Sequence, residues 1–202
     1  MIIPTMTLEE IQKEISKDFP ILDRKVNYVI HDLIKKLSKD AKKRGFVQFF
    51  DYRSKYKNNW IYRVIIKKKE SGFEAMLLYH SGKGHAAIAV TRELNLIYHT
   101  GHFFERYNER CKLGLKTLND IIRAYMNENN IYHFEEGEEI APDIFTMFCV
   151  IPSGIVLGTY NKKLDFVKAN TFVPNDMITK KQRELYEELK KELEKDMDTF
   201  GH

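Results

Sequence analysis

The sequence predicts an α+β fold: N-terminal helices, a largely antiparallel sheet, a central helix pair and a C-terminal helix. Three observations carry this. Apolar residues recur at helical spacing near both ends of the chain. Runs of β-branched and aromatic residues fill the stretches between. Those runs come in groups joined by short turns instead of alternating regularly with helices, which favours antiparallel pairing.

Thr7 followed by Glu10 forms a capping box and opens a first helix to about Lys17, with Pro20 read as its interruption. Val26, Val29, Ile30, Leu33, Ile34 and Leu37 then repeat at helical spacing, predicting a second helix from Asp23 to near Gly45. Strands are predicted over 59–69, 73–80 and 85–94, with turns at Ser71-Gly72 and at 81–84, and a short fourth strand over 94–98. The 81–84 turn lacks the spacing of a phosphate-binding loop and has no helix after it, so it is read as a hairpin. Thr100 N-caps the next helix, and Leu118, Ile121, Ile122 and Tyr125 mark another over 115–129. The acidic run Glu135, Glu136, Glu138, Glu139 reads as a solvated loop, with cover for a basic groove as the alternative. Strands over 143–151, 154–160 and 164–173 follow, then a charged helix over 179–197 whose Leu185, Leu189 and Leu193 form a stripe read as docking onto the sheet, with a dimer seam as the alternative.

With 202 residues the chain suits one domain, 1–202, divided into a helical N-terminal extension (1–45), a sheet-containing core (46–176) and a C-terminal helix (177–202). A hydrophobic share of 43% excludes a disordered chain, and a net charge of only +4 does not by itself identify a polyanion partner. Cys111 and Cys149, the two cysteines, fit neither a disulfide framework nor a zinc knuckle and read as reduced thiols. No basic leader precedes an apolar stretch and no run reaches membrane-spanning length, so a cytoplasmic protein without membrane contact is expected. No cofactor is implied.

The chemistry lies in HTGHFFERYNERCKLG, residues 99–114. Residues four apart on a helix lie nearly above one another, so His102, Arg106 and Arg110 form one polar stripe and Phe103, Tyr107 and Cys111 an adjacent apolar one. In the first turn, unpaired amides and the helix dipole favour a neutral imidazole and attract anions. An imidazole beside guanidiniums supplies what metal-free RNA cleavage needs: a group to take the 2′-OH proton and cations for the phosphorane. The bland alternative is a solvated face with Arg106 paired to Glu109.

HFFERYNER at 102–110 and KANTFVP at 168–174, in the order strand, helix, second helix, antiparallel strands, resemble the barnase/EndoU/RelE-like ribonuclease superfamily, its phage- and toxin-associated members above all. The resemblance covers roughly residues 90–180. It implies metal-independent RNA cleavage with His102 as acid or base, Arg106 on the scissile phosphate supported by Arg110, and a Thr171 hydroxyl to the phosphate. Tyr160 is a weaker sheet-side candidate. Unlike EndoU-like members, the chain has no second histidine of matching placement; His99, His133 and Tyr160 stay open as the second proton-transfer group.

A separate signal lies between residues 42 and 69, where ten basic residues, among them Lys42, Lys43, Arg44, Arg53, Lys55, Lys57 and Arg63, face one acid, Asp51, and interleave with aromatics including Trp60. Cations would take phosphates and aromatics would stack on bases; core aromatics beside a lysine-guarded edge strand is the alternative. His80, His85, His99 and His102 lack the carboxylate or thiolate company of a zinc site, and no metal site is assigned. The expected function is a metal-independent endoribonuclease with RNA as partner. An inhibitor or immunity protein and the oligomeric state are left open. The alternatives are a non-catalytic nucleic-acid-binding module using 42–69, or a structural or partner-binding protein.

Overall fold

The computed structural model describes residues 1–67, 70–81, 84–91, 95–129 and 131–199. The chain divides into two compact units, the first ending at Leu96 and the second starting at Ile97. Unit 1 holds α1 (Leu8–Lys36), α2 (Lys39–Arg44) and strands β1 (Phe46–Arg53), β2 (Asn59–Ile66), β3 (Ser71–Ser81) and β4 (Gly84–Val90). The strands pair antiparallel in chain order from β1 to β4. β5 (Leu96–His99) marks the boundary. Unit 2 continues with α3 (Gly101–Arg110), α4 (Leu118–Glu128), β6 (His133–Ala141), β7 (Ile144–Ile151), β8 (Gly154–Asn161), β9 (Phe166–Pro174) and α5 (Lys180–Thr199). Its strand order is β5-β9-β8-β7-β6. The α+β class with terminal helices and a central helix pair is what the sequence predicted.

The capping box of Thr7 and Glu10 forms as expected, but Pro20 does not end the helix: α1 runs through it without a break. Proline removes the bond to the Ser16 carbonyl. Ser16 and Pro20 lie on the exposed face, open to solvent, while Ile11, Ile15, Phe19, Leu22, Val26 and Ile30 keep one buried stripe across the proline. The predicted single helix from 23 to 45 instead breaks at Leu37-Ser38, because the Ser38 hydroxyl accepts from Ala41 N at 3.1 Å and starts α2.

β1 is the edge strand offered as the alternative reading of the basic and aromatic segment, whereas β6 was read as an acidic loop. Glutamate is a poor strand former, yet Glu135, Glu136, Glu138 and Glu139 lie in β6, paired with β7 through two register shifts. Backbone pairing to an apolar neighbour outweighs weak local propensity at a sheet edge. Pro142 and Asp143, with φ +61° at Asp143, make the two-residue turn between Ala141 and Ile144. Of the predicted turn at 81–84, Ser81 and Gly84 pair, while Gly82 and Lys83 lie outside the described residues. So do Lys68, Lys69 and 92–94 of the predicted strands.

In unit 1, Phe19 of α1 packs against Trp60 and Phe73, with ring centroids 6.2 and 6.1 Å apart. Beside this contact Asp18, fully buried, takes three donors on one carboxylate oxygen: Ser54 Oγ at 2.7 Å, Asn58 Nδ2 at 2.8 Å and Trp60 Nε1 at 3.0 Å. Asn58 Oδ1 in turn accepts from Ile2 N at 2.9 Å. The network ties α1 to the β1–β2 connection, whose Lys57 adopts φ +62°.

In unit 2, one face of the sheet carries Val150 and Ile155, packed with Tyr186, Leu189 and Leu193 of α5. The predicted leucine stripe therefore docks, with Leu185 at its margin. On the opposite face Phe172 of β9 meets Phe103 and Tyr107 of α3, at 6.4 and 4.9 Å between centroids. Asn170 is an extra residue in β9, because Leu157 pairs with Thr171 while Gly158 pairs with Ala169. A Cβ on Gly158 would collide with the Lys168 carbonyl, so only glycine fits there.

Removing the Asp18 carboxylate strands three buried donors. Asp18→Ala is expected to lose about 3 kcal/mol and Asp18→Asn, which keeps an acceptor, about 1 kcal/mol, read as urea midpoints of unfolding; equal midpoints for wild type and Asp18→Ala would show that the network contributes nothing.

Candidate functional site

β9 determines where α3 starts. As the chain leaves β5, Thr100 N donates to Ala169 O at 3.4 Å and its hydroxyl reaches Asn170 O at 3.5 Å, while the same hydroxyl accepts from Phe103 N at 3.1 Å and caps the helix. At the other end the Arg110 guanidinium donates to the Phe172 carbonyl. With Phe103, Phe104 and Tyr107 buried beneath it, α3 is held at its start, middle and end.

His102 and Arg106 point away from that contact. The side chain of His102 is 58% exposed and that of Arg106 38%. Arg106 Nε donates to His102 Nε2 at 3.3 Å. That assigns the ring proton to Nδ1, which faces Glu105 Oε2 at 3.6 Å, and the Nε2 lone pair to the bond from the guanidinium. Arg106 Nη1 also pairs with Glu109 Oε2 at 2.9 Å, as the bland alternative anticipated. An exposed pair of this kind contributes only about 0.2 to 0.5 kcal/mol, so a phosphate can displace Glu109 at small cost. Arg110 completes the stripe, but its guanidinium is engaged by β9, which makes it a clamp on the helix.

Thr171 does not join them. Residues paired across antiparallel strands share a face, and Thr171 pairs with Leu157, which packs against the α5 cluster. The neighbouring Phe172 points to α3, so period two sends Thr171 to the other side. Tyr160 does share α3's face: it follows Val156, the partner of Phe172, by four residues, and its ring lies 5.9 Å from that of Phe134. Its hydroxyl donates to Asp165 Oδ1 at 2.9 Å, and burial, then this bond, hold its pKa above the usual tyrosine range.

His99, weighed as a second proton-transfer group, is 3% exposed and enclosed by Phe103, Phe104 and Tyr125 at 4.9, 5.5 and 5.3 Å between ring centroids. Nε2 lies 3.3 Å from the Tyr125 hydroxyl. Nδ1 makes no bond of good geometry, although the Ile97 carbonyl lies close enough to favour its protonation slightly. Burial dominates and holds the imidazole pKa down to about 4. His99 is a core residue. His133, half-buried in β6, faces the charge of Glu192 in α5. Burial pushes the thiol of Cys111 up to about 11 and that of Cys149 up to about 12, so neither is a nucleophile near neutral pH.

The predicted nucleic-acid residues divide. Arg44, Arg53, Lys55 and Lys57 are exposed and Lys42 half-exposed; the Lys43 side chain lies outside the described residues. Trp60, 1% exposed, and Arg63, 3% exposed, are buried. Trp60 serves Asp18, and Arg63 Nη2 holds both oxygens of Glu74 at 2.8 Å, so neither can meet a nucleic acid from these positions. Lys25, not foreseen, extends the cationic surface from α1, its Nζ 4.9 Å above the Tyr52 ring. Asp18, Ser54 and Asn58 were also missed; an aspartate at a core position of the Ile11-Ile15-Asp18-Leu22 stripe was the available signal. Of the four histidines considered for zinc, His80 and His85 stand together, while His99 and His102 have the separate environments just described. No helix among the described residues is long and apolar enough to cross a membrane. Comparison with protein-family models, curated proteins and solved structures returns no match.

The depressed His99 pKa makes stability depend on pH. Unfolding restores an ordinary value near 6.5, so the unfolded chain binds the extra proton, and the stability present above pH 6.5 is lost as pH falls toward 4. The loss amounts to about 3 kcal/mol. In His99→Gln, which does not titrate, the fall of Tm between about pH 7 and pH 4.5 should be visibly shallower; parallel curves would assign the acid sensitivity elsewhere.

Proposed function

We propose that unit 2 is a metal-independent RNA-cleaving domain in which His102 takes the proton and Arg106 holds the scissile phosphate. The supporting observation is the contact between His102 Nε2 and Arg106 Nε, 3.3 Å apart on exposed side chains of a helix clamped to β9. A base and a cation held one turn apart on a rigid element suit in-line attack at a phosphodiester.

In this reading a phosphate oxygen draws the Arg106 guanidinium off both Glu109 and His102, which frees the Nε2 lone pair. His102 Nε2 then removes the 2′-OH proton, the 2′ oxygen bonds to phosphorus, and Arg106 neutralises the charge on the non-bridging oxygens. The bond to the 5′ oxygen breaks, and that oxygen leaves with a proton, giving a 2′,3′-cyclic phosphate and a free 5′-hydroxyl. Tyr160, a protonated hydroxyl on α3's face of the sheet, is the candidate donor. Arg110 positions the helix. Thr171 has no part.

A second reading, nucleic-acid binding without cleavage, is favoured by the exposed cations of unit 1, where Lys55 Nζ lies 5.0 Å above the Tyr56 ring. Such a surface gives salt-dependent binding without a reaction.

Purified protein with labelled single-stranded RNA in EDTA separates the two. Cleavage should occur on RNA and not on DNA of the same sequence. His102→Ala should lower the rate by about 100-fold or more, Arg106→Ala comparably, and Thr171→Val by less than about twofold. Full cleavage by His102→Ala would sink the catalytic reading. Uncleaved RNA retained by wild type, and released by Lys55→Ala/Lys57→Ala or by salt, would establish the second.

A further inference from the structure

The β3–β4 hairpin carries two histidines used by neither reading. His80 and His85 pair directly across the two strands, so both side chains leave the same face of the sheet. Directly opposed residues have Cβ atoms about 5 Å apart. Here the ring centroids are 4.8 Å apart and the planes within 22° of parallel. Both side chains are exposed.

An exposed, neutral imidazole offers a lone pair to a transition ion. Two at metal–nitrogen distances of about 2.0 to 2.1 Å place their donor atoms about 3 Å apart. Opposed rings at this separation reach that spacing by side-chain rotation alone, because the hairpin already sets the backbone and exposed rings turn freely. Among the described residues no third histidine, cysteine or carboxylate gathers with the pair. Water would therefore fill the remaining positions, which disfavours the closed tetrahedral shell of structural zinc and suits the tetragonal nitrogen–oxygen shells of copper(II) and nickel(II).

The other described histidines lack this arrangement. His99 is sealed among aromatic rings, and His102 has a guanidinium on its Nε2. We infer that His80 and His85 form a surface chelating site for a divalent transition ion of the copper–nickel type. A bound ion cross-links β3 to β4 at the turn end of their hairpin and stabilises unit 1 by linkage. The site is independent of the ribonuclease proposal, whose assay is run in EDTA.

The test uses copper(II) alone, titrated into the whole protein in a non-chelating buffer near pH 7.5, because protons compete with the metal for imidazole nitrogen. Calorimetry gives the affinity, and electron paramagnetic resonance counts the equatorial nitrogens. Two nitrogens are expected in the wild type. His80→Ala and His85→Ala should each weaken binding by about tenfold or more, as expected when one arm of a chelate is lost, while His102→Ala leaves it unchanged. A single-nitrogen spectrum in the wild type would overturn the inference, and needs no variant to fold. Affinity held within about threefold in both single variants would do the same.

Discussion

The packing of α3 on Phe172 is the contact on which the candidate site depends. Phe172 meets Phe103 and Tyr107 edge to face, and Tyr125 of α4 closes the same cluster. Pairs of this geometry contribute about 0.5 to 1.5 kcal/mol each beyond their burial. Once that face of α3 is inward, the helical repeat turns His102 and Arg106 outward, and alternation along β9 turns Thr171 away. One aromatic side chain thus decides which members of the resembling motif can act together.

Much of the architecture was legible because it rests on local rules. The capping box at Thr7, the Thr100 cap and the leucine stripe of α5 each follow from a few neighbouring residues. What escaped depends on partners distant in sequence. α1 passes through Pro20 because a buried stripe on the far side of the helix outweighs one missing hydrogen bond. β6 is a strand because β7 lies beside it, although its own composition reads as loop. The His102–Arg106 contact was legible from spacing alone; the separation of Thr171 from it required the register of β8 against β9.

The basic segment shows the same division. Counting cations between 42 and 69 treats each alike, whereas pairing with β3 draws Arg63 into a part-buried ion pair with Glu74. Burial raises the Glu74 pKa against the opposing pull of Arg63, the balance expected when a charge pair is taken out of water. Trp60, the largest flat surface in that segment, is committed to Asp18 and Phe19. The cationic surface that remains consists of α2, the end of β1 and the connection after it.

The extra residue Asn170 has a consequence for how this region can vary. Upstream and downstream of it, β9 is out of step with itself by one position, and both halves are correctly faced only because of that offset. A point substitution in β9 alters one contact. Deleting or inserting a single residue there would rotate a whole half-strand, turning either Phe172 out of the aromatic cluster or Ala169 away from Thr100. Lineages carrying this unit should therefore tolerate changes of letter in β9 far more readily than changes of length.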